Sequence, residues 1–167
     1  MKYREARERA VRSGRVAGAV GQDPVCYRAI MGLADAHRPG QILDFGAGRA
    51  ARHTLALRAK GYDITAHEVP ENRTEVHDTK ALRQRYDVVI MSNVINVQGT
   101  ESMLRETLDA ARAVVRHKGY LVVNFPRSPR YLPHLTFKSV EYRLRRRGFS
   151  RASLEDGVLI MQKGANR

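Results

Sequence analysis

The chain has 167 residues, of which 43% are hydrophobic, and this length and composition favour one folded domain and exclude a chain that is disordered throughout. Its single cysteine, Cys26, excludes an intramolecular disulfide and a cysteine-based zinc site. The net charge of +13 favours a polyanionic partner such as nucleic acid, although a basic surface that only improves solubility gives the same composition.

Residues 1–15 are charged and lack the apolar segment of a signal peptide. No run approaches the roughly 20 apolar residues that a membrane span needs. We therefore expect a cytoplasmic protein without membrane contacts. Its single domain should cover residues 1–167, with residues 1–21 as a basic N-terminal segment.

Residues 2–13 predict a charged helix, because glutamate and arginine recur there at a spacing of four. Three glycines predict an irregular segment after it: Gly14, Gly18 and Gly21. A second predicted helix begins at Asp23-Pro24 and runs to about residue 36, because aspartate caps helix N-termini and proline is tolerated in the first turn.

From residue 41 onward, short apolar segments alternate with amphipathic ones. The predicted strands are residues 41–45, 62–69, 87–91 and 120–125, and the predicted helices are residues 50–60, 79–85 and 100–117. This alternation predicts a mostly parallel sheet with right-handed crossovers.

The C-terminal part has a different pattern. A basic helix over residues 137–147 precedes two strands, residues 150–154 and 158–162, and Asp156-Gly157 between them is typical of a hairpin turn. The predicted fold class is therefore a three-layer, Rossmann-like α/β domain whose mostly parallel sheet ends in an antiparallel hairpin.

A glycine-rich turn follows the first predicted strand, where Asp44-Phe45 leads into Gly46-Ala47-Gly48 and then a helix. Glycine allows backbone angles that other residues avoid, and the following helix directs free N–H groups at a ligand. Glu68 ends the next strand, where a carboxylate can accept both hydroxyls of a ribose. The segment therefore predicts a cofactor that contains a nucleoside.

The spacing Gly46-x-Gly48-x-x-Ala51 also fits the nicotinamide-dinucleotide fingerprint, so a nicotinamide-dependent oxidoreductase is one alternative. Asp44 argues against it, because a carboxylate there would repel a pyrophosphate and attract a methionine ammonium or a sulfonium.

These motifs resemble those of class I S-adenosylmethionine-dependent methyltransferases, whose sheet ends in a similar hairpin. Asp44–Gly48 resembles the family's first motif, Glu68 its ribose-binding acid, and Asp78, in a poor strand, the residue that meets the adenine amino group. The resemblance implies S-adenosylmethionine as cofactor and these binding residues: Asp44, Phe45, Gly46, Ala47, Gly48, Arg49, Glu68, Val69, Asp78, Ser92 and Asn93. The stretch Asn93–Asn96 also resembles, more weakly, methyltransferases associated with DNA phosphorothioation.

Methyl transfer from a sulfonium needs mainly a positioned nucleophile, so few catalytic residues are required. Asn93 is predicted to act near the reacting methyl group, with the alternative that Ser92 and Asn93 only turn the chain. His134 is the predicted base. It lies in a loop with three predicted substrate-binding residues, Arg127, Arg130 and Tyr131.

Four other histidines are interpreted as surface or loop residues, and no metal site is predicted. They are His53, His67, His77 and His117. The sequence therefore predicts a methyltransferase that acts on nucleic acid or on a small molecule. The main alternative is an inactive module with the same fold that binds cofactor or nucleic acid, because little sequence remains to build a substrate cap.

Overall fold

The chain folds into helices and strands that alternate as its hydrophobic pattern predicts. The computed structural model describes residues 2–16, 26–30, 40–124 and 131–164. The helices are α1 (Tyr3–Val16), α2 (Arg52–Ala59), α3 (Glu101–Val114) and α4 (Phe137–Arg145), and residues 26–30 are also helical. The strands are β1 (Ile42–Phe45), β2 (Ile64–His67), β3 (Tyr86–Met91), β4 (Val115–Asn124), β5 (Phe149–Glu155) and β6 (Val158–Lys163).

The strands form one mixed sheet in the order β2-β1-β3-β4-β6-β5. β1 pairs in parallel with β2 and β3, and β3 pairs in parallel with β4, whereas β6 is antiparallel to both β4 and β5. The predicted fold class, a mostly parallel sheet with a terminal antiparallel hairpin, is therefore confirmed.

Two hydrophobic clusters lie on opposite faces of the sheet, because successive residues of a strand point in opposite directions. Leu43 and Val89 belong to the cluster that includes residues of α3 and α4, whereas Ile42 and Val88 belong to the one that includes Ile30 and part of α2. This arrangement gives three layers, and it leaves the carboxyl ends of β1, β2 and β3 at one edge of the sheet.

Two predicted helix ends are wrong. Gly14 was expected to break the first helix, but α1 continues to Val16. The helix predicted over residues 100–117 ends at Val114, because Val115 pairs with Tyr86 and begins β4. Both differences arise from tertiary contacts, which a local pattern does not contain.

Other predicted elements are present in shorter form. Residues 79–85 form only the 3-10 turn Ala81–Arg83, and residues 75–78 form a single parallel bridge between His77 and Ala66. The start of the second predicted helix at residues 23–24 lies outside the described residues. Within the described ranges, no helix has the length and apolar character needed to cross a membrane.

The hairpin turn provides a test of local conformational strain. Asp156 and Gly157 have φ angles of 49° and 76°, the two positive values of a type I′ turn. A Cβ atom added to Gly157 would meet no atom within 4 Å, so a substitution there introduces backbone strain without a steric clash.

We expect Gly157→Ala to lower the free energy of unfolding by about 1 kcal/mol, because an L-residue is disfavoured at this φ. The control is Gly164→Ala, at an exposed glycine without a positive φ, which should leave the free energy unchanged or raise it slightly. Denaturant unfolding measures both. Equal effects of the two substitutions would contradict the turn assignment.

Candidate functional site

A cavity of about 320 Å³ opens at the carboxyl ends of β1, β2 and β3, and apolar groups make up most of its wall. Its floor is the glycine turn after β1 together with the residues at and after the ends of β2 and β3. Its other walls come from α1, α3, the segment before α3, Tyr27 and His53. Open α/β sheets bind ligands at this edge, outside the carboxyl ends of their strands.

The glycine turn has a geometry that other residues would not easily adopt. Gly46 and Gly48 have φ angles of 84° and 72°, and a Cβ atom on Gly46 would lie 2.7 Å from Cγ2 of Val94. The backbone N–H groups of Gly46 and Ala47 both donate to the carbonyl oxygen of His67, at 3.0 Å each. The turn is therefore fixed to the end of β2.

Glu68 lies against the glycine turn and lines the cavity, with 7% of its surface exposed. Its Oε2 accepts a hydrogen bond of 2.8 Å from the N–H of Gly48, and its Oε1 accepts one of 2.8 Å from the N–H of Val69. A carboxylate offers about four acceptor positions, so the side chain can accept further hydrogen bonds from a ligand.

Asp44 is buried behind the turn and is not itself part of the cavity wall. Its Oδ2 accepts hydrogen bonds from the hydroxyls of Tyr27, at 2.8 Å, and Thr54, at 2.6 Å. Its buried Oδ1 has no hydrogen-bond partner among the residues that the structure describes. Burial raises the pKa of Asp44, and the hydrogen bonds from Thr54 and Tyr27 only partly oppose this.

Asn93 lines the cavity directly after β3 and has a positive φ of 58°. Its N–H donates to Oδ1 of Asn124 at 2.5 Å, and Nδ2 of Asn124 donates to Oδ1 of Asn93 at 3.1 Å. The reciprocal pair joins the ends of β3 and β4. Asn124 is not among the site residues predicted from the sequence. The sequence shows only a polar residue at the end of an apolar strand.

Helix α1 covers the cavity, a role that the sequence analysis did not predict. The carbonyl oxygen of Gly14 accepts a hydrogen bond from the N–H of Arg49 at 3.2 Å, and the hydroxyl of Tyr3 donates to Oε2 of Glu106 at 2.5 Å. Between these ends, Arg7 forms a 2.9 Å ion pair with Glu71. Residues from several turns of the helix, including Tyr3, Arg7 and Gly14, line the cavity.

Most of the predicted cofactor residues lie together in the cavity wall: Phe45, Gly46, Ala47, Gly48, Glu68, Val69, Ser92 and Asn93. Arg49 has an exposed side chain and contributes its N–H to the contact with α1. Asp78 accepts hydrogen bonds from the N–H of Lys80, at 2.7 Å, and from Nε2 of Gln84, at 3.3 Å, so it stabilises a local turn instead of lining the cavity.

The predicted base, His134, and one predicted substrate residue, Tyr131, do not line the cavity. His134 is exposed, and its Nε2 lies 2.7 Å from Oε1 of Glu101, which also accepts from Arg143. Tyr131 is half-buried and does not line the cavity. Arg127 and Arg130 lie outside the described residues.

Two histidines that were interpreted as surface or loop residues are buried beside the turn. His67 is 7% exposed and lines the cavity, and burial, with smaller effects from Arg73 and His77, lowers its pKa to about 4. His77 is 6% exposed, and its Nε2 lies 3.0 Å from the carbonyl oxygen of Gly48. Neither position is evident from the spacing of histidines in the sequence.

The chain matches the family model for a methyltransferase domain over residues 22–162. It belongs to that family. Among curated proteins, no sequence matches the chain significantly.

Solved structures with similar folds include N-methyltransferases. The sugar N-methyltransferase KedS8 from Streptoalloteichus sp. has a TM-score of 0.68 at 14% identity, with 87% of this chain and 90% of that one covered. The N-methyltransferase NodS from Bradyrhizobium japonicum, in complex with S-adenosylhomocysteine, has a TM-score of 0.64 at 14% identity, with 98% of each chain covered. TehB from Haemophilus influenzae has a TM-score of 0.57 at 16% identity, and the match covers 90% of this chain but only 65% of TehB.

The family match confirms the prediction of a class I methyltransferase, a family that uses S-adenosylmethionine as its methyl donor. The weaker resemblance to phosphorothioation-associated methyltransferases finds no support in these matches.

A substitution in the glycine turn tests whether this part of the cavity floor contacts the ligand. We expect Gly46→Ala to weaken binding of S-adenosylhomocysteine at least tenfold, because the added methyl group combines an unfavourable φ with a collision against Val94. The control is Gly61→Ala, which has a similar φ of 85° but meets no atom within 4 Å and lies outside the cavity wall.

Gly61→Ala should therefore lower stability by about 1 kcal/mol without a change in affinity. Calorimetric titration measures the affinity of each variant. Unchanged binding by Gly46→Ala would show that the turn does not contact the ligand.

Proposed function

We propose that the chain transfers the methyl group of S-adenosylmethionine to a nitrogen atom of a small-molecule acceptor. The observation that carries this proposal is the cavity itself, in which the glycine turn and Glu68 lie beneath the cover formed by α1. The solved structures described as N-methyltransferases support the choice of nitrogen.

Glu68 and the turn would hold the nucleoside and amino-acid parts of the cofactor. The acceptor positions that remain on Glu68 suit the ribose hydroxyls, and Gly46 and Gly48 leave the main chain accessible. The buried negative charge of Asp44 behind the turn would attract the methionine ammonium. S-adenosylmethionine, when bound, supplies a methyl group that is already activated.

Asn93 is our candidate for the residue that orients the acceptor. It lines the cavity, and Asn124 fixes its side-chain oxygen, so its amide has a defined orientation. An orienting role suits this reaction, because methyl transfer depends on the alignment of nucleophile and methyl group. The proposal does not use His134, which is paired with Glu101 at the surface.

A small acceptor fits the cover formed by α1. The contacts of this helix at Arg49, Glu71 and Glu106 extend along its length and hold it over part of the cavity, which suits a compact ligand better than a polymer. The helix also forms a cover over the site, although so short a chain leaves little sequence for one. A covered site also limits the access of water to the reacting atoms.

Nucleic acid is the second candidate acceptor, and the net charge of +13 favours it. Binding through phosphate groups would weaken steeply as the salt concentration rises. Transfer of a tritiated methyl group to panels of small amines, RNA and DNA, each at low and high salt, distinguishes the two acceptor classes. Transfer only to polynucleotides, with a steep salt dependence, would contradict the small-molecule proposal.

We expect Glu68→Ala to weaken binding of S-adenosylhomocysteine by about 1–2 kcal/mol, the scale of lost hydrogen bonds to a charged group. The control is Glu75→Ala, at an exposed glutamate outside the cavity wall, which should bind like the wild type. Calorimetric titration compares the two variants. Equal affinities of Glu68→Ala and the wild type would remove the ribose assignment.

We expect Asp44→Asn to raise stability and lower cofactor affinity together. Because burial raises the pKa of Asp44, ionisation of its carboxyl costs more in the folded than in the unfolded chain. This cost lowers stability at pH 7, which is above the ordinary pKa of an aspartate, and the neutral amide removes it. Affinity for S-adenosylhomocysteine should fall about tenfold, because the attraction to the ammonium is lost.

Thermal unfolding and calorimetric titration at pH 7 measure the two effects. The matched control is Asp63→Asn, at an exposed aspartate, which should change neither quantity. An Asp44→Asn variant that binds the ligand as tightly as the wild type would show that the buried charge does not contribute to recognition.

A further inference from the structure

His77 makes a hydrogen-bond contact with the glycine turn from behind the cavity wall. It forms the single parallel bridge to Ala66 of β2, which brings its side chain to the turn. Its Nε2 lies 3.0 Å from the carbonyl oxygen of Gly48, and its Nδ1 lies 3.0 Å from the backbone nitrogen of Thr74. The residue does not line the cavity, so it cannot act through direct contact with the cofactor.

The partners of the two ring nitrogens define the tautomer of the neutral ring. The backbone N–H of Thr74 can only donate a hydrogen bond, so Nδ1 of His77 must accept it. The proton of the neutral imidazole therefore lies on Nε2, which donates to the carbonyl oxygen of Gly48. The imidazole connects the Thr74 backbone to the turn.

Gly48 is consequently held through both of its backbone polar groups. Its N–H donates to Oε2 of Glu68 at 2.8 Å, and its carbonyl oxygen accepts from His77 and, at 3.1 Å, from the N–H of Ala51. With a φ of 72° and no side chain, Gly48 depends on these hydrogen bonds, and on the one from the N–H of Arg49 to the carbonyl oxygen of Gly14, for the orientation of its peptide groups. A change at His77 should therefore alter the direction of the N–H that holds Glu68.

We propose that His77 is a positioning residue for the cofactor: it orients Gly48 so that the Gly48 N–H keeps the Glu68 carboxylate directed into the cavity. This inference rests on the proposed role of Glu68 in binding the ribose. Partners of this kind, one step behind a binding group, commonly change ligand affinity when they are removed, as they do behind metal ligands.

Two substitutions of His77 distinguish its hydrogen bond to Gly48 from its hydrogen bond with Thr74. The amide of His77→Gln extends to about the position of Nε2 and can still donate to Gly48. The shorter amide of His77→Asn extends only to about the position of Nδ1, so it can accept from Thr74 but does not reach Gly48. Circular dichroism first establishes that both variants fold.

Calorimetric titration with S-adenosylhomocysteine then measures affinity. We expect His77→Asn to bind about tenfold more weakly than the wild type and His77→Gln to bind within about threefold of it. Wild-type affinity in His77→Asn would overturn the inference. Equally weak binding by both variants would also overturn it, because the hydrogen bond to Gly48 would then not be the property that matters.

A double-mutant cycle tests whether His77 acts through Glu68. In a Glu68→Ala background, His77→Asn should cause little further loss of affinity, because the residue that it positions is absent. Additive losses would overturn the inference and indicate a general structural role. Wild-type affinity of the Glu68→Ala variant alone would instead contradict the proposed ribose contact. Failure of the inference about His77 and failure of the proposed function therefore give different results.

Discussion

The hydrogen bond between the N–H of Gly48 and the carboxylate of Glu68 is the interaction on which the candidate site depends. It joins the turn after β1 to the residue after β2, and it uses an acceptor position of Glu68 that faces the protein, not a ligand. The turn is also bound to His67 through two backbone hydrogen bonds. Strand pairing thus brings the glycine turn and the carboxylate of Glu68 together before any cofactor binds.

The sequence was sufficient to predict those parts of the molecule that follow from local chemistry. Buried strands, the Asp156-Gly157 turn and the spacing from Gly48 to Glu68 are each encoded within short segments. The positions of Gly14 and Val115 could not be predicted in the same way. Gly14 stays helical while its carbonyl oxygen binds the turn after β1, and Val115 leaves the helix pattern to pair with Tyr86.

The same distinction explains which site residues the sequence analysis missed. Glu68 has a recognisable spacing, but Asn124 and His77 act through partners that are 31 and 29 residues away in the chain. These contacts follow from the adjacency of β3 and β4 and from the single bridge between His77 and β2. Asp78 is the opposite case, a residue that the sequence selects and the structure places elsewhere. Its position resembles the family motif, but its carboxylate stabilises a local turn.

A crystal structure of the protein with S-adenosylhomocysteine tests the central claim most directly. Our account predicts ribose hydroxyls on the carboxylate of Glu68, with the amino-acid part of the ligand over Gly46–Gly48 and beneath α1. A ligand bound elsewhere, or one whose ribose makes no contact with Glu68, would contradict it.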